Sequence, residues 1–128
     1  MWADDLADRI ESVTGATVYV GSFAERPVTR HVMITPTPGL GPEYVQDDTD
    51  PAYQRPGAQV IACDVDGRQA QALAKACYDA VANVKNMFIG GTWYLKIRPR
   101  QEPFDFGLDP SKTLAQFAFN VIAEKRPS

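Results

Sequence analysis

Histidine is almost missing from this chain: His31 is the only one in 128 residues. An imidazole-based zinc site and a serine triad both need histidine placed against other ligands or a nucleophile, and one copy inside an extended stretch assembles neither. Cysteine is scarce as well. Cys63 and Cys77 show no C-x-x-C spacing, so thiolate metal and redox motifs are excluded and buried free thiols are expected. No apolar run approaches the roughly 20 residues that span a bilayer. The opening Met1-Trp2-Ala3-Asp4-Asp5-Leu6 is acidic where an export signal is basic, so the expectation is a chain without leader or membrane segment in a reducing compartment.

Positive charge is also short. Thirteen Lys and Arg stand against sixteen Asp and Glu, for a net charge of -3 and a pI near 5.0, which gives no general attraction to a phosphate backbone. Neither G-x-x-x-x-G-K-[ST] nor G-x-G-x-x-G occurs, and Gly39-Leu40-Gly41 lacks the strand-to-helix setting in which backbone amides cradle phosphate. The run Asp47-Asp48-Thr49-Asp50 offers carboxylates to a hard cation but has neither the turn glycine nor the distal glutamate of a calcium loop. It reads as a solvated acidic loop. Acids that sit in loops and at helix ends are not held as a hydrolytic pair. No catalytic, cofactor-binding or metal-binding residue is therefore assigned, and the chain is read as a non-enzyme.

What remains is a globular composition, 45% hydrophobic and 23% charged, read as one domain over residues 1–128. Trp2, Leu6, Ile10 and Val13 form one helical stripe, with Asp4 and Asp5 in its first turn and Gly15 as its stop. Ala16–Val20 and Val28–Ile34 are β-rich and read as a hairpin across residues 21–27. Residues 35–57 carry five prolines and three glycines and are expected to form a long irregular loop. Gln59–Val65 is a strand apolar on both faces, with Val60 and Ala62 on one and Ile61, Cys63 and Val65 on the other. A helix is predicted over Arg68–Asn83 from the spacing of Ala70, Leu73, Ala74, Cys77, Val81 and Val84. After Gly90-Gly91, Trp93, Leu95 and Ile97 alternate with Tyr94, Lys96 and Arg98. Pro99 ends that strand, Gly107 and Asp109-Pro110 mark a second loop, and Leu114–Ala123 closes with Ala115, Phe117, Phe119 and Val121 on one face. The order α-β-β-β-α-β-β describes a two-layer α+β domain, a mainly antiparallel sheet of about five strands with both helices on one face.

From Tyr53 onward a set of short motifs recurs in order. Pro56-Gly57-Ala58-Gln59-Val60 leads a Gln-bearing strand, followed by a helix over Gln69–Val81 and by Tyr94-Leu95-Lys96-Ile97-Arg98-Pro99. Gln101-Glu102-Pro103, the turn Gly107-Leu108-Asp109 and a last strand with Phe117, Phe119 and Asn120 complete the set. In this the chain resembles the tail terminator and minor capsid (tail completion) family of long-tailed bacteriophages. It departs from the pattern at Ile61 and Cys63, where relatives carry basic or polar residues, and at Lys112, where Arg is common.

The resemblance implies a structural virion protein of the tail-neck region that meets host cytoplasm only during assembly. It implies a homo-oligomeric ring, hexameric in type, seated on the tail tube protein, ending tube growth and offering a surface to the head-tail connector. DNA would pass through the lumen without specific binding. Interface candidates are Tyr44, Tyr53, Gln59, Ile61, Arg98, Asp109 and Lys112. Tyrosine in a long loop suits ordering on a partner, the doubly apolar strand suits cover by a neighbouring subunit, and Asp109 is expected to matter more to assembly than to folding. Two alternatives stay open: another neck or head-completion ring protein, and a small cytoplasmic metal- or ligand-binding domain using the Asp-rich segment.

Overall fold

In a computed structural model of the chain, residues 2–21, 29–44, 51–109 and 113–127 are described, with the side chains of 40–44, 51 and 52 left aside. The elements are α1 (Trp2–Thr14), β1 (Val18–Val20), β2 (His31–Tyr44), β3 (Pro51–Asp64), α2 (Gly67–Ala82), β4 (Lys85–Ile89), β5 (Thr92–Pro99), β6 (Phe104–Leu108) and β7 (Ala115–Lys125). The seven strands make one sheet in the order β1-β2-β3-β7-β5-β4, with β6 also paired to β7. All pairs but β1–β2 are antiparallel. The α+β class and the two helices on one face are as the sequence predicts. The strand count is higher by β4 and β6.

Both helices form where the apolar spacing places them. Trp2, Leu6 and Ile10 of α1 are buried, whereas Val13 is exposed, and Gly15 ends the helix in a left-handed conformation at φ 73°. Asp66 caps α2 by accepting a hydrogen bond from the Arg68 amide at 2.9 Å. The stripe Ala70, Leu73, Ala74, Cys77, Val81 and Val84 is buried throughout. It meets Val60, Ala62, Phe119, Val121 and Ala123 from the sheet, and each large apolar side chain sealed there contributes roughly 1.5–3 kcal/mol. Arg9 Nε donates to Ala80 O at 3.0 Å and ties the helices together. The sheet curls, so that α1 touches β1 and β2 near one edge and β4 at the other.

Four expectations change. Residues 35–57 are not an irregular loop. β2 and β3 continue through most of them as a paired hairpin, with Thr37↔Gly57, Leu40↔Arg55 and Tyr44↔Pro51 in register. The prolines are tolerated because β1 covers β2 only up to Ile34, so the missing amides of Pro36 and Pro38 face no further strand among the described residues. Gly39 and Gly57 allow the two backbones to close: a Cβ on Gly39 would overlap the Arg55 carbonyl, and one on Gly57 would lie 2.8 Å from Thr37 Oγ1.

β1 and β2 pair in parallel, Val18↔Val32 and Val20↔Ile34, and form no hairpin. The ten-residue link between them is long enough to carry the chain back along a strand of three residues, which advances only roughly 7 Å at about 3.3 Å per residue. In β5 a register shift between Tyr94 and Lys96 reverses the alternation, so Tyr94 and Ile97 are buried while Trp93 and Leu95 are only half-buried. Finally, the second face of β3 is covered within the chain. Ile61 and Cys63 pack with Met33, Leu114 and Ala118, and Tyr19 lies against them, so no neighbouring subunit is required there.

Candidate functional site

β5 and β6 lie end to end along one side of β7, antiparallel to it, with β5 opposite Val121–Lys125 and β6 opposite Ala115–Ala118. The break between them is clipped to β7: the Arg100 amide donates to Asn120 O at 2.7 Å, and the Asn120 amide donates to Gln101 Oε1 at 3.1 Å. This fixes where Arg100 and Gln101 stand on the face opposite the helices.

That face divides into two halves. One carries the small apolar cluster around Met33, Ile61 and Cys63. The other is polar, because register brings Thr35, Gln59 and Asn120 abreast on β2, β3 and β7. The next row is Thr37, Gly57, Ile122 and Arg98. Gly57 leaves room for Thr37, whose Oγ1 would lie 2.8 Å from a Cβ at that place. A groove of about 430 Å³ lies over this region, lined by Thr37, Pro38, Arg100, Gln101, Asn120 and Ile122. A second recess of about 330 Å³ adjoins it at Arg98, Pro99, Arg100 and Ile122.

Charge is uneven here. Lys96, on the same side of β5 as Arg98, is paired with Glu124 at 3.7 Å. Arg98 and Arg100 are exposed and make no ion pair among the described residues. The groove and the recess beside it thus present the guanidinium groups of Arg100 and Arg98 near the amides of Gln101 and Asn120. Such a surface suits carboxylate or phosphate oxygens.

Of the sequence candidates, Gln59 and Arg98 fall on this face. Tyr53 is half-buried on the hairpin, Tyr44 is paired with Pro51 at its far end, and Lys112 lies outside the described residues, as does Asp47–Asp50. Ile61 is only 4% exposed and packs inside the chain, which corrects its reading as an exposed contact. Asp109 is buried too. Its Oδ1 accepts from the amides of Thr113 and Leu114 at 2.8 and 3.0 Å, so it anchors the segment leading into β7 and seats Leu114 in the second cluster.

Arg100 and the edge strand β6 escape sequence reading, and Gln101 enters it only within the Gln101-Glu102-Pro103 motif. Phe104, Phe106 and Leu108 of β6 are exposed, and the outer edge of β6 carries no further strand among the described residues. Phe-x-Phe-x-Leu is an alternating signal, but Pro103 and Gly107 flank or interrupt it and suggest a loop instead. A shallow cavity of about 510 Å³ against α2, between Arg68, Gln71, Lys75 and Glu102, has charges of both signs and faces away from the groove. Among the described residues there is no group of three potential metal ligands, and no helix is long and apolar enough to cross a membrane.

A family model described as bacteriophage tail terminator protein matches residues 4–115. Among solved structures, a chain from the virion of a native gene transfer agent particle is similar with a TM-score of 0.60 at 12% identity, over 92% of this chain and 84% of that one. A second solved structure is similar with a TM-score of 0.53 at 17% identity, over 99% of this chain and 93% of that one. No curated protein matches the chain.

Proposed function

The chain belongs to the bacteriophage tail terminator family, and on that premise we propose that it acts as one subunit of a hexameric ring that caps the tail tube. It is a structural protein of the phage tail, at work in the virion among other tail and neck proteins. In the proposed role the ring stops tube polymerisation and presents its other side to the head-tail connector. DNA passes through the lumen without specific binding, as a net charge of -3 favours.

The observation that carries the ring is the overhang of β2 and β3. The last pair between β3 and β7 is Gln54↔Lys125, yet the hairpin continues to Tyr44↔Pro51. A two-stranded ribbon beyond the sheet buries little of its own surface and is marginal in water by itself, which fits a part meant to lie against a neighbour. The β6 edge, with its exposed phenylalanines, is a second unfinished surface. Arm and edge are different surfaces, and a head-to-tail contact between different surfaces closes into a ring when its rotation allows.

The test is native mass spectrometry of the purified protein alone and with tail tubes, together with tube lengths measured by electron microscopy. A six-fold mass and tubes that stop elongating when the protein is added are expected. A protein that stays monomeric on tubes and leaves their growth unchanged overturns the reading.

A further inference from the structure

We propose that the exposed carboxylates of Asp4 and Asp8 on α1 of one copy bind Arg98 and Arg100 on the sheet face of the next copy in the ring. This rests on the ring reading above and adds to it a polar contact between two surfaces that lie on opposite faces of the sheet.

Charge complementarity carries the choice of occupant. Arg98 and Arg100 are exposed and make no ion pair among the described residues, whereas their neighbour Lys96 is already paired with Glu124. Most of the described carboxylates are engaged as well, Asp64 and Asp79 in ion pairs and Asp66, Asp105 and Asp109 by backbone amides. Asp4 and Asp8 differ. Both are exposed, neither makes an ion pair among the described residues, and they share one stripe of α1, where like charges four residues apart oppose each other. Glu11, next along that stripe, already accepts from the Val18 amide at 3.0 Å, and Glu102 stands singly beside Lys75. A pair of cations from outside the chain relieves the repulsion between Asp4 and Asp8.

Spacing agrees with charge. Arg98 and Arg100 line adjoining recesses and stand two residues apart along an extended segment, roughly 7 Å at about 3.3 Å per residue. Asp4 and Asp8 stand four residues apart along a helix, roughly 6 Å at about 1.5 Å per residue. Two guanidinium–carboxylate pairs can therefore form side by side, each through paired N–H donors. Gln101 adds a further donor, because its Oε1 is taken by the Asn120 amide at 3.1 Å and its side-chain NH2 is left for an incoming carboxylate. The same chain cannot supply the acids: Trp2, Leu6 and Ile10 hold α1 in the core cluster on one face of the sheet, while register sets Arg98 beside Ile122 on the other. A second copy brings α1 within range, and donor and acceptor are distinct surfaces, as a closing head-to-tail contact requires. A DNA phosphate is the other anion in a phage tail. Two arginines close to Glu124, on a chain of net charge -3, are few for duplex binding, which draws its strength from many phosphate contacts.

The experiment compares ring formation of the full chain by native mass spectrometry, with and without tail tubes, for wild type, Arg98→Glu/Arg100→Glu, Asp4→Lys/Asp8→Lys, and all four changes together. All four side chains are exposed, so thermal melting of the monomer is expected to stay within a few degrees of wild type. Each reversed pair is expected to raise the half-assembly concentration about tenfold or more, and the combined set to recover most of that, as coupled charges at interfaces do. Asp4→Asn/Asp8→Asn keeps side-chain size and is expected to shift assembly in the same direction as the lysine pair, so the contact is tested even where reversed charge disturbs α1. Rings that form equally well in either altered pair, or no recovery in the combined set, overturn the proposal while leaving the ring intact. A short DNA duplex bound by wild type and released by Arg98→Glu/Arg100→Glu, with rings unaffected, overturns it in favour of phosphate. A wild-type chain that forms no ring even on tubes overturns the ring reading and this contact with it.

Discussion

Tyr94 and Asp5 are the pair on which the packing of α1 turns. The Tyr94 hydroxyl donates to Asp5 Oδ2 at 2.6 Å with both residues buried, and Trp2 beside them donates its indole N–H to Gly57 O at 3.1 Å. Tyr94→Phe leaves a buried carboxylate without its donor and is expected to cost about 1–3 kcal/mol, read as a fall in the urea midpoint at pH 7. Burial first, then the hydrogen bond to Asp5 and its charge, hold the Tyr94 hydroxyl well above its ordinary pKa. Above pH 10 the unfolded chain loses that proton while the folded chain keeps it, so stability falls with rising pH. Desolvation lifts Cys77 to about 12 from 9.0 with the same sign, whereas Lys125, lowered by burial, acts the other way. Tyr94→Phe is therefore expected to flatten the decline between neutral pH and pH 11, and an unchanged slope would remove Tyr94 from the account. Asp109 makes a separate case. Because it holds two backbone amides and is only 4% exposed, Asp109→Ala is expected to destabilise the monomer by about 1–3 kcal/mol, visible as a lower Tm before any assembly assay. A carboxylate in a Gly-x-Asp turn looks like a surface feature in sequence, since nothing local reveals that Leu114 folds back over it.

At the scale of elements, the helices were legible because their stripes repeat at three and four residues, and a local repeat survives any tertiary arrangement. The cap of α2 was less so. Asp66→Ala is expected to cost about 1 kcal/mol through loss of the Arg68 amide bond, a small shift in Tm with the fold retained. β4 was hidden by its own turn: Gly90 and Gly91, both at positive φ, form a two-residue connection between Ile89 and Thr92, and a Gly-Gly pair between short apolar runs is a hairpin signal as much as a break. The β2–β3 hairpin was hidden by proline and glycine. At Gly39, alanine would drive its Cβ into the Arg55 carbonyl, so Gly39→Ala is expected to speed amide exchange across residues 37–57 while α1 and α2 stay protected. Equal exchange in the arm would mean that the close approach is not what holds it.

For the whole molecule, function follows from surfaces left open once the core is closed. The core itself is finished: two clusters, one on each side of the sheet, account for the doubly apolar β3 without any partner. What stays unfinished is the arm past Gln54↔Lys125, the β6 edge, and the two recesses at Arg98 and Arg100, which make no ion pair among the described residues. Of the candidate site, Arg98 was within reach of the sequence because strand alternation puts it opposite Leu95 and Ile97, and Gln59 because it is the polar residue that opens the doubly apolar strand. Arg100, Gln101 and Asn120 join them only through the clip between β5 and β7, a contact between segments about twenty residues apart. The sequence by itself determined the class, the two helices and the apolar faces of β3, since these depend on composition and short periods. Only the tertiary structure decided the parallel pairing of β1, the inward turn of Tyr94 at the β5 bulge, the burial of Ile61 and Asp109, and the placing of Arg98 and Arg100 in adjoining recesses. Each of these hangs on which strand lies beside which, and strand neighbours are chosen by long-range packing that no local pattern encodes.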